Sequence, residues 1–120
     1  MKGVLIVGHG SRQKSTERTL EAVVEMARLK LPDIPMEIAY MEFGEMDIPS
    51  GLNSLIDRKA DEIAVVPYFL FDGIHILEDI PGILSEFEAS HEGVKISMGR
   101  PLGADERLAS ILHDRIREVI

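Results

Sequence analysis

Two runs without a single charge constrain this chain more than anything else in it: Val4-Leu5-Ile6-Val7 and Ile63-Ala64-Val65-Val66. β-Branched residues dominate both, and Gly8 and Pro67 stop them. An uninterrupted apolar strand has to be covered on both faces, which is the situation of a strand inside a parallel sheet flanked by helices. The rest of the chain supplies the partners. Strands are predicted over Val4–Val7, Met36–Met41, Ile63–Val66 and Val94–Met98, the second less apolar and suited to an edge. Helices are predicted over Ser15–Lys30, Pro49–Ala60, Glu78–Glu88 and Ala104–Val119. The first carries a stripe of Leu20, Val23, Val24, Ala27 and Leu31 at helical spacing, and Pro32 and Pro35 end it. The third has Pro81 in its first turn. The last carries Leu108, Ile111, Leu112, Ile116 and Val119 on one face. Strand and helix in alternation predict an α/β fold: a four-stranded parallel sheet, right-handed crossovers and helices on both faces, three layers in all.

Bulk composition narrows the function classes. The chain has 120 residues, 45% of them apolar, which suits one domain with a real core. Its formal net charge of -8 argues against nucleic acid and against an anionic membrane surface. There is no cysteine, so any metal must be held by nitrogen or oxygen. The apolar run after Met1-Lys2-Gly3 is too short for a signal peptide or a membrane span, and a cytoplasmic location is expected.

In a parallel sheet, ligands bind beyond the carboxyl ends of the strands. Both uncharged runs lead to a histidine at that end. The first continues as Gly8-His9-Gly10-Ser11-Arg12, the third strand as Pro67-Tyr68-Phe69-Leu70-Phe71-Asp72-Gly73-Ile74-His75. Imidazole binds metals and titrates near neutrality. His9 alone reads as a polar strand end, and His75 alone as the start of a helix; together on one edge they point to metal or proton chemistry. His91 and His113 read as solvated. Glu42 and Glu45, after the second strand, read as a turn that gains a use beside a metal. Glu78 and Asp79 suit a helix's first turn. The run Tyr68–Phe71 passes beyond the proline; it is an extended core strand, or else an apolar wall for a large ring or for another subunit.

These pieces resemble a known family. Gly8-His9-Gly10-Ser11-Arg12, Met41-Glu42-Phe43 with Glu45, Val66-Pro67-Tyr68-Phe69-Leu70 running to Gly73-Ile74-His75 and Glu78-Asp79-Ile80-Pro81, and Pro101-Leu102-Gly103-Ala104-Asp105 resemble the class II tetrapyrrole chelatases, in particular the short archaeal CbiX type. The resemblance spans the chain and implies one flavodoxin-like chelatase domain over 1–120. It implies insertion of a divalent metal, Co2+ or in methanogens also Ni2+, into sirohydrochlorin, with the metal as substrate and no organic cofactor. Carried over by position, His9 and His75 hold the metal, and His9 accepts protons. Glu45 and Leu70, Phe71, Asp72, Gly73 and Ile74 touch the macrocycle. Larger members enclose the ring between two lobes, so a single lobe is expected to form a homodimer, partly through the Tyr68–Phe71 wall.

The chemistry is coherent with that resemblance. A free-base tetrapyrrole loses two pyrrole protons as the metal enters, so a loosely held metal, a nearby base and a surface that orients the ring are required. An imidazole that holds the metal through one nitrogen cannot use that nitrogen as base, so the base is His9 or Glu45. Three rivals remain. A phosphohistidine phosphatase usually has arginine directly before the histidine, where this chain has Gly8. A flavin carrier needs more than Ser11 in its phosphate loop and more aromatic residues. A non-enzymatic cobalt or nickel carrier uses the same histidines.

Overall fold

The strands assemble around the two uncharged runs. The structure, a computed structural model, describes residues 1–120 apart from the side chain of His75. Strands β1 (Lys2–Gly8), β2 (Met36–Tyr40), β3 (Glu62–Pro67) and β4 (Lys95–Met98) form one parallel sheet in the order β2-β1-β3-β4. The uncharged runs are the two central strands, paired from Lys2↔Glu62 to Val7↔Pro67. The less apolar β2 lies at an edge, as its composition predicts. Helices α1 (Lys14–Lys30), α2 (Ile48–Asp57), α3 (Ile74–Ala89) and α4 (Glu106–Arg117) alternate with the strands.

Side chains leave a strand alternately to either face. On one face Leu5, Val7, Ala39, Ile63 and Val65 pack under Leu52 and Leu55 of α2 and Ile80, Leu84 and Phe87 of α3. Burying each such side chain stabilises the fold by about 1.5–3 kcal/mol relative to exposure. On the other face Leu20 and Val24 of α1 pack on Tyr40, Ile6, Ile38 and Tyr68.

Helix ends follow local chemistry. Asp47 caps α2, accepting a hydrogen bond of 2.9 Å from the Ser50 N–H, and Pro49 sits in the first turn. The left-handed backbone of Lys59, at φ 76°, closes the helix sooner than the predicted Ala60. Helix α3 begins at Ile74, a turn before the predicted Glu78, so Pro81 lies inside it and not in its first turn. Proline costs the helix one N–H, but Ile80 before it and Leu84 and Phe87 after it are buried against the sheet and hold the helix there.

The prediction for the last helix is corrected in another way. Helix α4 forms, capped by Asp105, which accepts from the Arg107 N–H at 2.9 Å. It buries none of its residues; only Leu108 is half-buried, and Ile111, Leu112 and Ile116 stand exposed. The helix points away from its own sheet, and the chain measures 55 × 32 × 26 Å. The radius of gyration is 15.3 Å, against about 13–14 Å for a compact chain of this length. The three-layer arrangement is thus incomplete within one chain on the side of α1.

Candidate active site at the β1–β3 edge

The strand order turns back on itself between β1 and β3: the chain moves outward to β2, then returns past β1 to β3. Such a switch point opens a crevice at the carboxyl ends of the strands, where ligands bind in open α/β sheets. The loop that carries His9 and the segment that runs from Tyr68 to His75 leave the sheet side by side at this point. Their bases are tied by the Tyr68 N–H, which donates to the Val7 carbonyl at 2.8 Å.

His9 faces outward with 58% of its side chain exposed, and its Nε2 lies 3.4 Å from Glu42 Oε1. The loops after β1 and β2 are locked together to produce this pair. The Met41 and Glu42 N–H groups donate to the carbonyls of Gly8 and His9 at 3.0 and 3.2 Å. Gly10 adopts φ +94°, and a Cβ there would lie 1.8 Å from the Glu42 carbonyl oxygen. Only glycine permits that approach. Phe43 takes a left-handed φ of 58°, and the Arg12 guanidinium stacks 4.9 Å above its ring. His9, Gly10, Ser15, Thr16, Thr19, Tyr40 and Tyr68 line a hollow of about 490 Å³.

Tyr40 and Glu17 lie beneath this edge. Both are buried, with 7% and 6% of their surfaces exposed. Burial, and then the charges of Glu17 and Glu21, push the Tyr40 phenol up to about 12. Lys14 pairs with Glu17 at 2.9 Å, and that contact raises the ammonium above its ordinary range. A second hollow, of about 530 Å³, is lined by Glu17, Glu21, Glu25, Glu37, Glu45 and Tyr40.

The sequence-derived site residues therefore divide. His9 is at the switch point, with Glu42 as its carboxylate neighbour. Glu45 is exposed and lines the neighbouring acidic hollow. Leu70, Phe71 and Ile74 are exposed at the rim by 51%, 80% and 70%, Asp72 is exposed, and Gly73 precedes α3. The apolar run Tyr68–Phe71 is therefore no extended core strand: β3 ends at Pro67. His75 is the second residue of α3; its side chain lies outside the described residues. Among the described residues no three histidine or carboxylate side chains converge as a metal site. Sequence reasoning missed Tyr40 and the Arg12–Phe43 stack. The signal for Tyr40 was its place at the end of a strand, next to the Met41-Glu42-Phe43 turn.

The CbiX family model matches residues 3–119. The chain belongs to the CbiX family. A sirohydrochlorin cobaltochelatase of Sulfurisphaera tokodaii is 37% identical, over all of this chain and 95% of that protein. A sirohydrochlorin ferrochelatase of Bacillus subtilis is 30% identical over 98% of this chain, which spans only 45% of it. Among solved structures, the sirohydrochlorin chelatase SirB from Bacillus subtilis subspecies spizizenii, in complex with cobalt, superimposes with a TM-score of 0.90 at 30% identity. That superposition covers 98% of this chain and 50% of SirB. The fold is thus that of the CbiX and SirB chelatases, and this chain spans about half the length of the Bacillus subtilis proteins it matches.

Proposed function

We propose that this chain is a sirohydrochlorin chelatase that inserts a divalent metal, cobalt in the first instance, at the edge between β1 and β3. The observation that carries the reading is His9 at the switch point, exposed toward solvent, with Glu42 3.4 Å from its ring. The metal enters as substrate. His9 and His75 hold it through nitrogen, a set weak enough to release the ion to a macrocycle, whereas thiolates would retain it. Cobalt, nickel and iron all suit such ligands, and nickel insertion is a second use of the same site.

The reaction exchanges M2+ for two pyrrole protons, so two protons must leave the ring. As the metal passes to the ring, the His9 nitrogen that held it is freed to take a pyrrole proton, and Glu42 is placed to relay it to solvent. Glu45, from the next turn of the same loop, serves the second pyrrole. Leu70, Phe71 and Ile74 supply an apolar wall for the macrocycle face, with Asp72 and Gly73 between them. Water contact over these side chains is costly in the free protein, and a flat ring removes it. Two copies of this single lobe would enclose the ring from both sides, as a homodimer.

Anaerobic absorbance of sirohydrochlorin with Co2+ tests the proposal. A spectral change faster with protein than without it is expected. Metal binding by the protein with no acceleration over the spontaneous reaction would favour the carrier reading instead.

A further inference from the structure

Helix α1 carries a row of like charges into the acidic hollow it shares with β2. Glu17, Glu21 and Glu25 follow one another at every fourth residue, so they stand one turn above another on the same side of the helix. Like charges at that spacing destabilise a helix unless something positive answers them. The two ends of the row are answered. Lys14 pairs with Glu17 at 2.9 Å, and Arg28 pairs with Glu25 while also donating to the Met36 carbonyl at 2.8 Å. Across the hollow, Glu37 accepts from Arg58 at 2.8 Å and from the Ser54 hydroxyl at 3.1 Å. Glu21, in the middle of the row, and Glu45, in the loop after β2, are what remains. Among the described residues neither makes an ion pair or a side-chain hydrogen bond. The hollow therefore keeps two negative charges without a partner.

A second observation points into the same hollow. The Tyr40 hydroxyl is buried, with 7% of the residue exposed, and has no hydrogen-bond partner. Its ring is wedged against Gly44, which has no room for a Cβ there, and against Gly8, so the hydroxyl is fixed in place. The carboxylates whose charges act on the phenol are Glu17 and Glu21, which puts the hydroxyl on the α1 side, in the wall of the acidic hollow. A buried hydroxyl without a partner is costly, and a ligand that brings hydrogen-bond donors removes that cost.

The wall also states what kind of ligand it takes. Every unspent group is an oxygen, which suits a hard cation and not a nitrogen-seeking transition metal. The hollow is roomy, at about 530 Å³, and among the described residues no three carboxylates converge closely enough to strip an ion of its water. Magnesium gives up water reluctantly, keeps several of its waters when bound, and is held by one or two carboxylates. Its charge equals the two that are left over.

We infer that the hollow between α1 and β2 binds a hydrated divalent cation of the magnesium type, whose waters donate to the Glu21 carboxylate and the Tyr40 hydroxyl while Glu45 completes the charge balance. The ion ties α1 to the loop after β2. It is a different site from the β1–β3 edge, where imidazole is offered, and binding here does not depend on the chelatase reading.

Amide NMR spectra of the chain test this, recorded at constant ionic strength during titration with Mg2+ and, separately, with hexaamminecobalt(III). The ammine ligands of the second ion do not exchange, so it binds only through N–H donors. Saturable shifts at Glu21, Tyr40 and Glu45 are expected with both ions. Glu21→Gln is expected to weaken Mg2+ binding about tenfold or more, and Tyr40→Phe about threefold, each with the rest of the spectrum folded. Shifts that do not saturate by about 10 mM, shifts confined to the His9 loop, or a Glu21→Gln variant that binds as the parent does would each overturn the inference. So would a response to Mg2+ without one to hexaamminecobalt(III), which would mean an ion held directly and stripped of its water.

Discussion

The two faces of the sheet differ in how far one chain completes them. Under α2 and α3, Leu5, Val7, Leu52, Leu55, Val65 and Ile80 are wholly buried, and the face is finished. Under α1 only the β1–β2 half is covered, by Leu20 and Val24, and the β3–β4 half is left to half-buried Ala64 and Val66. Both faces are apolar in sequence. What separates them is where the helices go: α2 and α3 return over the sheet, and α4 leaves it. The lesson is that an apolar stripe states that a helix needs a partner without stating which chain provides it.

Substitutions can break or sharpen this contrast. On the finished face, Leu52→Ala leaves a cavity that nothing fills, and a loss of about 3–5 kcal/mol in urea unfolding is expected. At the site edge, Gly10→Ala sets a Cβ against the Glu42 carbonyl in a left-handed backbone. A loss of about 3 kcal/mol is expected, together with disorder of the His9 loop in NMR spectra. A variant as stable as the parent would mean that the two loops are not locked together.

Tyr40, at the edge of the α1 face, gives a prediction in pH. Its phenol is held up at about 12 in the folded chain, against an ordinary value of 10.0. Between those values the unfolded chain has lost the proton and the folded chain keeps it. Stability from this group is therefore complete below pH 10 and is lost as pH rises toward 12, by on the order of 2 kcal/mol. Tyr40→Phe should flatten that decline in denaturation measured across the range. The smallest effect is on the open face. Val66→Ala, half-buried on this face, should cost about 1 kcal/mol in urea unfolding of the monomer. Equal losses for Val66→Ala and Leu52→Ala in the monomer would erase the difference between the faces.

Much of this architecture was legible. The uncharged runs identified the central strands, the mixed character of Met36–Tyr40 placed it at an edge, and His9 followed at the carboxyl end of β1. The start of α3 was not legible, because Pro81 reads as a first-turn residue, and only the burial of Ile80 and Leu84 explains a helix that continues through it. The stripe on α4 was visible, but its departure depends on the Leu102–Phe69 hydrogen bond and the turn at Gly103, which spacing does not encode. The choice between Glu42 and Glu45 beside His9 depended on the close approach at Gly10, a contact between two loops distant in sequence.

The central claim is that the edge between β1 and β3 performs the metal insertion through His9. The most direct test is the initial rate of Co2+ insertion into sirohydrochlorin by His9→Ala, compared with the parent chain at equal folded concentration. Loss of metal ligand and base together predicts a fall of about 100-fold or more, to near the spontaneous rate. A variant that keeps the parent rate would contradict the account and move the chemistry away from this edge.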